Sequence, residues 1–146
     1  MTIYQLPEVI GRLLLATVLG AIIGIEREYR QKAAGVRTNA LIALGSCLFT
    51  MVGLEMVPPG TDPTRVASTI VTGIGFLGGG AILRTGHTVR GLTTAATIWV
   101  NAAIGMATAV GLIWVAAVTT GITLVVLRVF PIVEDHIAGR EPPPRR

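Results

Sequence analysis

Three long stretches without a charged side chain constrain this chain more than any other feature of its sequence. No Asp, Glu, Lys or Arg occurs in residues 38–54, 66–83 or 91–127, which are runs of 17, 18 and 37 residues. One membrane crossing needs ~20 mostly apolar residues. Only 14% of the residues are charged, whereas a soluble domain carries about 25%. The sequence therefore predicts a polytopic membrane protein and excludes a soluble enzyme, a disordered chain and a disulfide scaffold.

Helix breakers and the thickness of a bilayer divide these stretches into five predicted spans. As a single helix, residues 91–127 would be about 55 Å long, and a hydrocarbon core of ~30 Å cannot accommodate that length. The run must therefore fold back, and its weakest helical stretch, residues 108–111, marks the hairpin. Pro58 and Pro59 end the second span. The prediction is a transmembrane domain over residues 1–130, with spans at 7–25, 38–57, 65–83, 92–108 and 111–128, and a short cytoplasmic tail over 131–146.

The positions of the basic residues set the predicted orientation. With five spans and the amino terminus outside, ten of the 12 basic residues lie on the inner side, and only Arg12 and Arg65 lie outside. Four spans would divide them six to six. The positive-inside rule favours the first arrangement. We therefore expect an all-α membrane protein, a compact bundle of five short transmembrane helices with a cytoplasmic carboxyl terminus. The pI of about 10.2 then reflects orientation and anionic lipid headgroups, and no nucleic acid partner is expected.

The third span is rich in glycine. Residues 73–78 match the dinucleotide-binding pattern G-x-G-x-x-G, but that loop works only between a strand and a helix, so we reject it inside an uncharged run. Two G-x-x-x-G pairs, Gly20 with Gly24 and Gly75 with Gly79, predict close helix packing. Three adjacent glycines also favour a helix break beside a cavity. The glycines assigned to packing or to a break are Gly20, Gly24, Gly73, Gly75, Gly78, Gly79 and Gly80.

A polar pocket is predicted where the inner ends of the first and fourth helices meet. Glu26 and Arg27 end the first helix, and the inner loops contribute further arginines. The amino terminus of the fourth helix adds free N–H groups and a positive dipole end. We expect Glu26 to pair with an arginine and the pocket to favour anions; a solvated helix end is the simpler alternative. The predicted pocket comprises Glu26, Arg27, Arg37, Arg84, Arg90, Thr93 and Thr94.

Few other polar residues could carry chemistry. On the outer side, Glu55 and Asp62 are candidates for a divalent cation, with a salt bridge from Asp62 to Arg65 as the alternative. Asn101 lies within the fourth span, so its amide should face another helix and link the two. The sequence contains no catalytic constellation and no cofactor motif. We therefore expect neither an enzyme nor a bound cofactor.

Four stretches, in this order and spacing, resemble the MgtC/SapB family of bacterial inner-membrane proteins. They are residues 20–28, residues 34–38, residues 62–65 with 72–80, and residues 89–99. The resemblance implies five transmembrane helices, an external amino terminus and a link to growth in low magnesium and to virulence in some bacteria. Many members carry an additional cytoplasmic ACT-like domain, which we expect to be absent here or supplied by another protein.

Three functional hypotheses follow from the residues and the resemblance. The first is a small regulatory or interaction protein that acts in magnesium homeostasis and low-magnesium adaptation. The second is a transporter or channel for Mg²⁺ or another ion, acting as an oligomer. The third, a membrane enzyme that binds lipid or another anion, is disfavoured because no nucleophile or base is positioned. Expected partners are the lipid bilayer, anionic headgroups, a membrane protein and a second copy of the chain.

Overall fold

In the part of the chain that the structure describes, the fold consists of five α-helices and one small hairpin. The computed structural model describes residues 5–58, 60 and 62–137. The helices are α1 (Leu6–Tyr29), α2 (Val36–Met56), α3 (Thr64–Gly80), α4 (Leu92–Ala109) and α5 (Ile113–Ile137). Strands β1 (Leu83–Thr85) and β2 (Thr88–Arg90) pair antiparallel between α3 and α4. The fold is helical as predicted, except that the loop before α4 forms this hairpin.

Four of the helices, α1, α2, α4 and α5, are long and apolar enough to cross a membrane. Their outward faces carry large apolar side chains, such as Leu14, Phe49 and Trp114, which are exposed. Such a surface is stable in lipid and unfavourable in water. The chain is therefore a multi-pass membrane protein. The remaining helix, α3, has 17 residues and a length of about 25 Å.

The helix ends differ from the predicted spans mainly at the carboxyl terminus. The turn after α4 overlaps the predicted hairpin at 108–111, and Gly111 provides its positive φ of +83°. By contrast, α5 continues past residue 128 and through Pro131, so residues 131–137 of the predicted tail are helical. The apolar residues around Pro131 continue the helical pattern, although proline removes one backbone hydrogen bond. The extended segment predicted at residues 142–144 lies outside the described residues.

Helices α1, α2 and α4 form the centre of the bundle and approach at backbone distance. A Cβ atom on Gly20 would lie 2.6 Å from the carbonyl oxygen of Asn39, and one on Gly24 would lie 2.6 Å from the Cα of Val36. A Cβ atom on Gly105 of α4 would lie closer still, against the carbonyl oxygen of Ala43. Only glycine permits these approaches, so these positions fix how α1 and α4 sit against α2.

Helix α3 packs much more loosely, and Gly78 is its buried residue. A Cβ on Gly78 would be in ordinary contact with Ala95 of α4, whereas Cβ atoms on the other glycines of α3 would meet open space. The helix is continuous up to Gly80, and its last turn is closed by the N–H of Ala81. The glycine run therefore ends α3 and does not interrupt it. The unpacked glycines are Gly73, Gly75, Gly79 and Gly80.

Candidate functional site

The buried charged and amide side chains form two pairs, Glu26 with Arg27 at the end of α1 and Asn39 with Asn101 between α2 and α4. Glu26, Arg27, Asn39 and Asn101 are each at most 4% exposed; we call these four residues the polar cluster. Charged and amide groups inside a membrane are unfavourable unless they are paired, and they commonly mark functional positions. The polar cluster is therefore the candidate functional site.

The carboxylate of Glu26 is held by two arginines, Arg27 within α1 and Arg30, the residue directly after α1. Its Oε2 lies 3.6 Å from Nη1 of Arg27, and its Oε1 lies 3.4 Å from Nε of Arg30. These are ion pairs without hydrogen bonds, and neither carboxylate oxygen accepts a hydrogen bond within the described part of the chain. The predicted pairing of Glu26 with an arginine is thus present, and both partners lie at the end of α1. A buried carboxylate with free acceptor sites can still bind a donor.

Asn39 and Asn101 link α2 to α4 by a buried hydrogen bond. The Nδ2 of Asn101 donates to Oδ1 of Asn39 at 2.8 Å and to its carbonyl oxygen at 3.2 Å. The Nδ2 of Asn39 donates in turn to the carbonyl oxygens of Gly35 and Ala34. The prediction that Asn101 faces another helix is confirmed. Asn39 was not identified from the sequence, although an amide at the second position of an uncharged run is the signal that could have found it.

Glu28 connects the end of α1 to the start of α2. Its Oε2 accepts a hydrogen bond of 2.9 Å from the backbone N–H of Val36, the first residue of α2. A carboxylate at a helix amino terminus satisfies a free N–H and interacts favourably with the dipole. Gln31 and Ala34 have positive φ in the intervening loop. This helix cap, which was also not identified from the sequence, holds together the first two helices of the polar cluster.

The other residues of the predicted pocket lie on the surface, with one exception. Arg37, Arg84, Arg90 and Thr93 are exposed, while Thr94 is buried in the first turn of α4. Arg84 donates from Nε to the carbonyl oxygen of Gly86 within the hairpin. The structure therefore brings Glu26 and Arg27 together in the interior and holds Arg84 and Arg90 on the exposed β1–β2 hairpin.

At the opposite end of the bundle, Asp62 is engaged by Thr64. The backbone N–H and the hydroxyl of Thr64 donate to the two oxygens of Asp62 at 2.9 and 2.7 Å. These hydrogen bonds stabilise the charged carboxylate and lower the pKa of Asp62. Glu55, the other proposed cation ligand, is exposed at the end of α2. Among the described residues, no group of three His, Cys, Asp or Glu side chains could hold a metal ion.

Arg12 closes the end of α4 on this same side. Its guanidinium donates to the carbonyl oxygen of Ala109, the last residue of α4, and pairs with Glu8 one turn earlier on α1. A cation at a helix carboxyl terminus satisfies a free carbonyl and interacts favourably with the dipole. The interaction connects the first helix to the turn before α5.

The dinucleotide pattern at residues 73–78 lies entirely within α3. No strand directly precedes it, because residues 64–80 are continuous helix, so its N–H groups are used by the helix and are not available to a phosphate. The rejection of this motif is confirmed.

Comparison with known proteins identifies close relatives. The profile of the MgtC family matches residues 13–136. An uncharacterized protein of Haemophilus influenzae is 41% identical over 138 residues, covering 88% of this chain and 58% of that protein. Proteins named MgtC from Brucella abortus and Salmonella typhimurium are 50% and 52% identical over 105 and 99 residues, covering 72% and 68% of this chain and 44% and 42% of theirs. The chain spans about half the length of these relatives. No solved structure matches it significantly.

Proposed function

Because this chain belongs to the MgtC family, we propose that it acts in magnesium homeostasis and adaptation to low magnesium. We propose that it does so as a regulatory protein of the bacterial inner membrane, working through a membrane protein partner and without an enzymatic step. The resemblance of the sequence motifs to MgtC/SapB proteins carries the link to magnesium. The packing of the bundle bears on the choice between regulation and transport.

The observation that supports regulation is the close contact among α1, α2 and α4. Gly20, Gly24 and Gly105 bring the three backbones closer than any side chain would allow, and the pair Asn39–Asn101 occupies the seam between α2 and α4. An ion path needs a wide enough opening with polar lining. The close packing of α1, α2 and α4 leaves little room for an ion path between them. It therefore favours a regulatory bundle over one that conducts ions between these helices.

We also propose that all five helices cross the membrane, with the amino terminus outside and the carboxyl end in the cytoplasm. The 17 residues of α3 are at the short end of the range for a membrane helix, ~17–25 residues. The division of basic residues described above supports this orientation. In it, the polar cluster is buried in the cytoplasmic half of the bundle, and the exposed β1–β2 hairpin lies in the cytoplasm, where it is available to a partner.

Transport by an oligomer is the second candidate, and one observation favours it. The face of α3 that carries Gly75 and Gly79 lies open, and neither glycine meets a neighbour. Such a face could line a path between copies, as broken or glycine-rich helices do in transporters. On this hypothesis, Gly79→Leu would abolish transport while the protein still inserts into the membrane.

Flux through purified protein separates the two candidates. The chain is reconstituted in liposomes that contain a magnesium-sensitive dye, and Mg²⁺ entry is compared with protein-free liposomes. The regulatory proposal predicts no protein-dependent entry, together with growth in low magnesium that depends on the chain in cells. Reproducible entry that Gly79→Leu removes and Gly121→Leu preserves would overturn it, since Gly121 is equally open but lies on α5.

A further inference from the structure

A slot opens between α2 and α3, and the contacts of α3 lie at its ends and along its floor, where Ile74 packs against Ile42 of α2 and Ile98 of α4. Near its start, Val66 packs against Gly53 of α2, where an added Cβ would lie 2.5 Å from Cγ1 of Val66. Near its end, Gly78 packs against Ala95 of α4. Between these contacts the two helices separate and leave a cavity of about 940 Å³. We call this cavity the α2–α3 slot.

The slot is elongated along α3 and apolar, with one charged residue, Arg65, at one end. Its walls include Leu41, Phe49, Ile70 and Leu77, and its floor includes Ile98 of α4. The distance along α3 from Arg65 to Leu77 is about 18 Å at ~1.5 Å per residue. One leaflet of the hydrocarbon core is about 15 Å thick, half of ~30 Å. The slot therefore has the length of a single acyl chain.

Arg65 provides the polar end of the slot. It lies in the first turn of α3, where the helix dipole adds positive potential. Its guanidinium forms no ion pair within the part of the chain that the structure describes. The neighbouring carboxylate of Asp62 is engaged by Thr64 instead. The slot thus combines apolar walls with a free cation at the end where a lipid headgroup would lie.

We propose that the α2–α3 slot binds one acyl chain of an anionic glycerophospholipid, with the lipid phosphate paired to Arg65. The match of an apolar channel of leaflet length with a terminal arginine carries this choice. A helix of a second copy fits less well, because such a helix runs the full thickness of the bilayer, whereas the slot ends where α3 contacts α2 and α4. Contacts near the two ends of α3 leave the slot open to a chain that enters sideways and stops within it. The inference does not depend on the role in magnesium homeostasis.

Quenching of a tryptophan in the slot by brominated lipids tests the proposal. Phe49→Trp supplies the reporter, in a background in which Trp99 and Trp114 are replaced by phenylalanine. The protein is reconstituted in phosphatidylcholine with the same small fraction of brominated phosphatidylglycerol or brominated phosphatidylcholine. Since one arginine near a surface favours an anionic lipid by about fivefold, we expect the apparent association of lipid with this reporter to be about fivefold stronger for phosphatidylglycerol.

Matched variants separate the slot from general lipid contact. Arg65→Gln should remove the preference for phosphatidylglycerol, and Arg65→Lys should retain most of it. Gly73→Leu, which fills the slot, should reduce quenching by both lipids, whereas Gly121→Leu should not. A protein that keeps Trp114 as its single tryptophan, exposed on α5, should show no preference.

Three results would overturn the proposal. They are equal quenching by the two lipids at position 49, a preference that survives Arg65→Gln, and a reporter protected from both lipids. The last result would indicate that a second copy covers the slot, and cross-linking at position 49 would then identify it. The quenching result does not depend on whether the protein conducts Mg²⁺. Failure of the lipid proposal is therefore distinct from failure of the regulatory proposal.

Discussion

Glu26 and Arg27 are adjacent, buried and oppositely charged, and their placement predicts that the end of α1 is sensitive to substitution. Each is at most 4% exposed, and desolvation opposes the charge on both. The ion pairs with Arg27 and Arg30 offset that penalty for Glu26. Removing one member of a buried pair leaves the other uncompensated, and this loss exceeds the net value of the pair itself.

Glu26→Gln should therefore destabilise the bundle by about 3 kcal/mol. The free energy of unfolding is measured by denaturant titration in detergent micelles. Glu134→Gln, on an exposed residue of α5, is the control and should change little. The double variant Glu26→Gln with Arg27→Gln should recover part of the loss, since no buried charge then remains unpaired. Unchanged stability in the single variant would contradict this account of the polar cluster.

The contribution of Asp62 to the start of α3 depends on pH and can be tested at a position outside the membrane-spanning segments. The folded pKa of Asp62 is lowered by its hydrogen bonds to Thr64, so its contribution to the start of α3 is present above the unfolded pKa of ~3.9. That contribution is lost as the pH falls through the folded pKa. Hydrogen exchange in the first turn of α3 should accelerate below about pH 4 beyond its intrinsic trend. Asp62→Asn should remove this acid-dependent component, and a variant that retains it would contradict the assignment.

At the scale of the elements, glycines divide the helices into two groups. In α1 and α4, Gly20, Gly24 and Gly105 meet backbone atoms of α2, whereas most glycines of α3 meet open space. Spacing alone did not separate the groups, because both G-x-x-x-G pairs look the same in the sequence. The contact of Gly105 with Ala43 was missed, since no second glycine at the four-residue spacing marked it.

Gly105→Ala should weaken the bundle, because a methyl group would lie against the carbonyl oxygen of Ala43 and force α2 and α4 apart. We expect a loss of about 2 kcal/mol, typical of an overpacked interior. Gly121→Ala is the matched control, since nothing lies within 4 Å of a Cβ at that position. Unfolding of the two variants is compared in the same micelles. Equal stabilities would show that the α2–α4 approach is not as tight as described.

At the scale of the whole molecule, the sequence predicted the helices better than their contacts. Uncharged runs and prolines are local signals, so they located α1, α2, α4 and the turn between α4 and α5. The continuation of α5 to Ile137 was missed because the charge of Arg128 was taken as the end of the span. The pocket was only partly anticipated, since charge sorting assigns residues to one side of a membrane but does not say which of them meet. For example, Arg84 and Arg90 were assigned to the pocket, but they lie on the exposed β1–β2 hairpin.

The orientation of the whole chain depends on α3, the shortest helix, crossing the membrane. If it crosses, Asp62 and His87 lie on opposite sides, and the polar cluster shares a side with the hairpin. If it does not, the two positions lie on one side and four crossings remain. Whether α3 crosses the membrane therefore decides on which side the polar cluster lies and whether a cytoplasmic partner can reach the β1–β2 hairpin.

Labelling of single cysteines in spheroplasts tests that claim most directly. Asp62→Cys and His87→Cys are made separately in a Cys47→Ser background and treated with a membrane-impermeant maleimide before and after permeabilisation. Five crossings predict that position 62 reacts in intact spheroplasts and that position 87 reacts only after permeabilisation. Reaction of both positions in intact spheroplasts would place them on one side of the membrane and contradict the five-helix orientation.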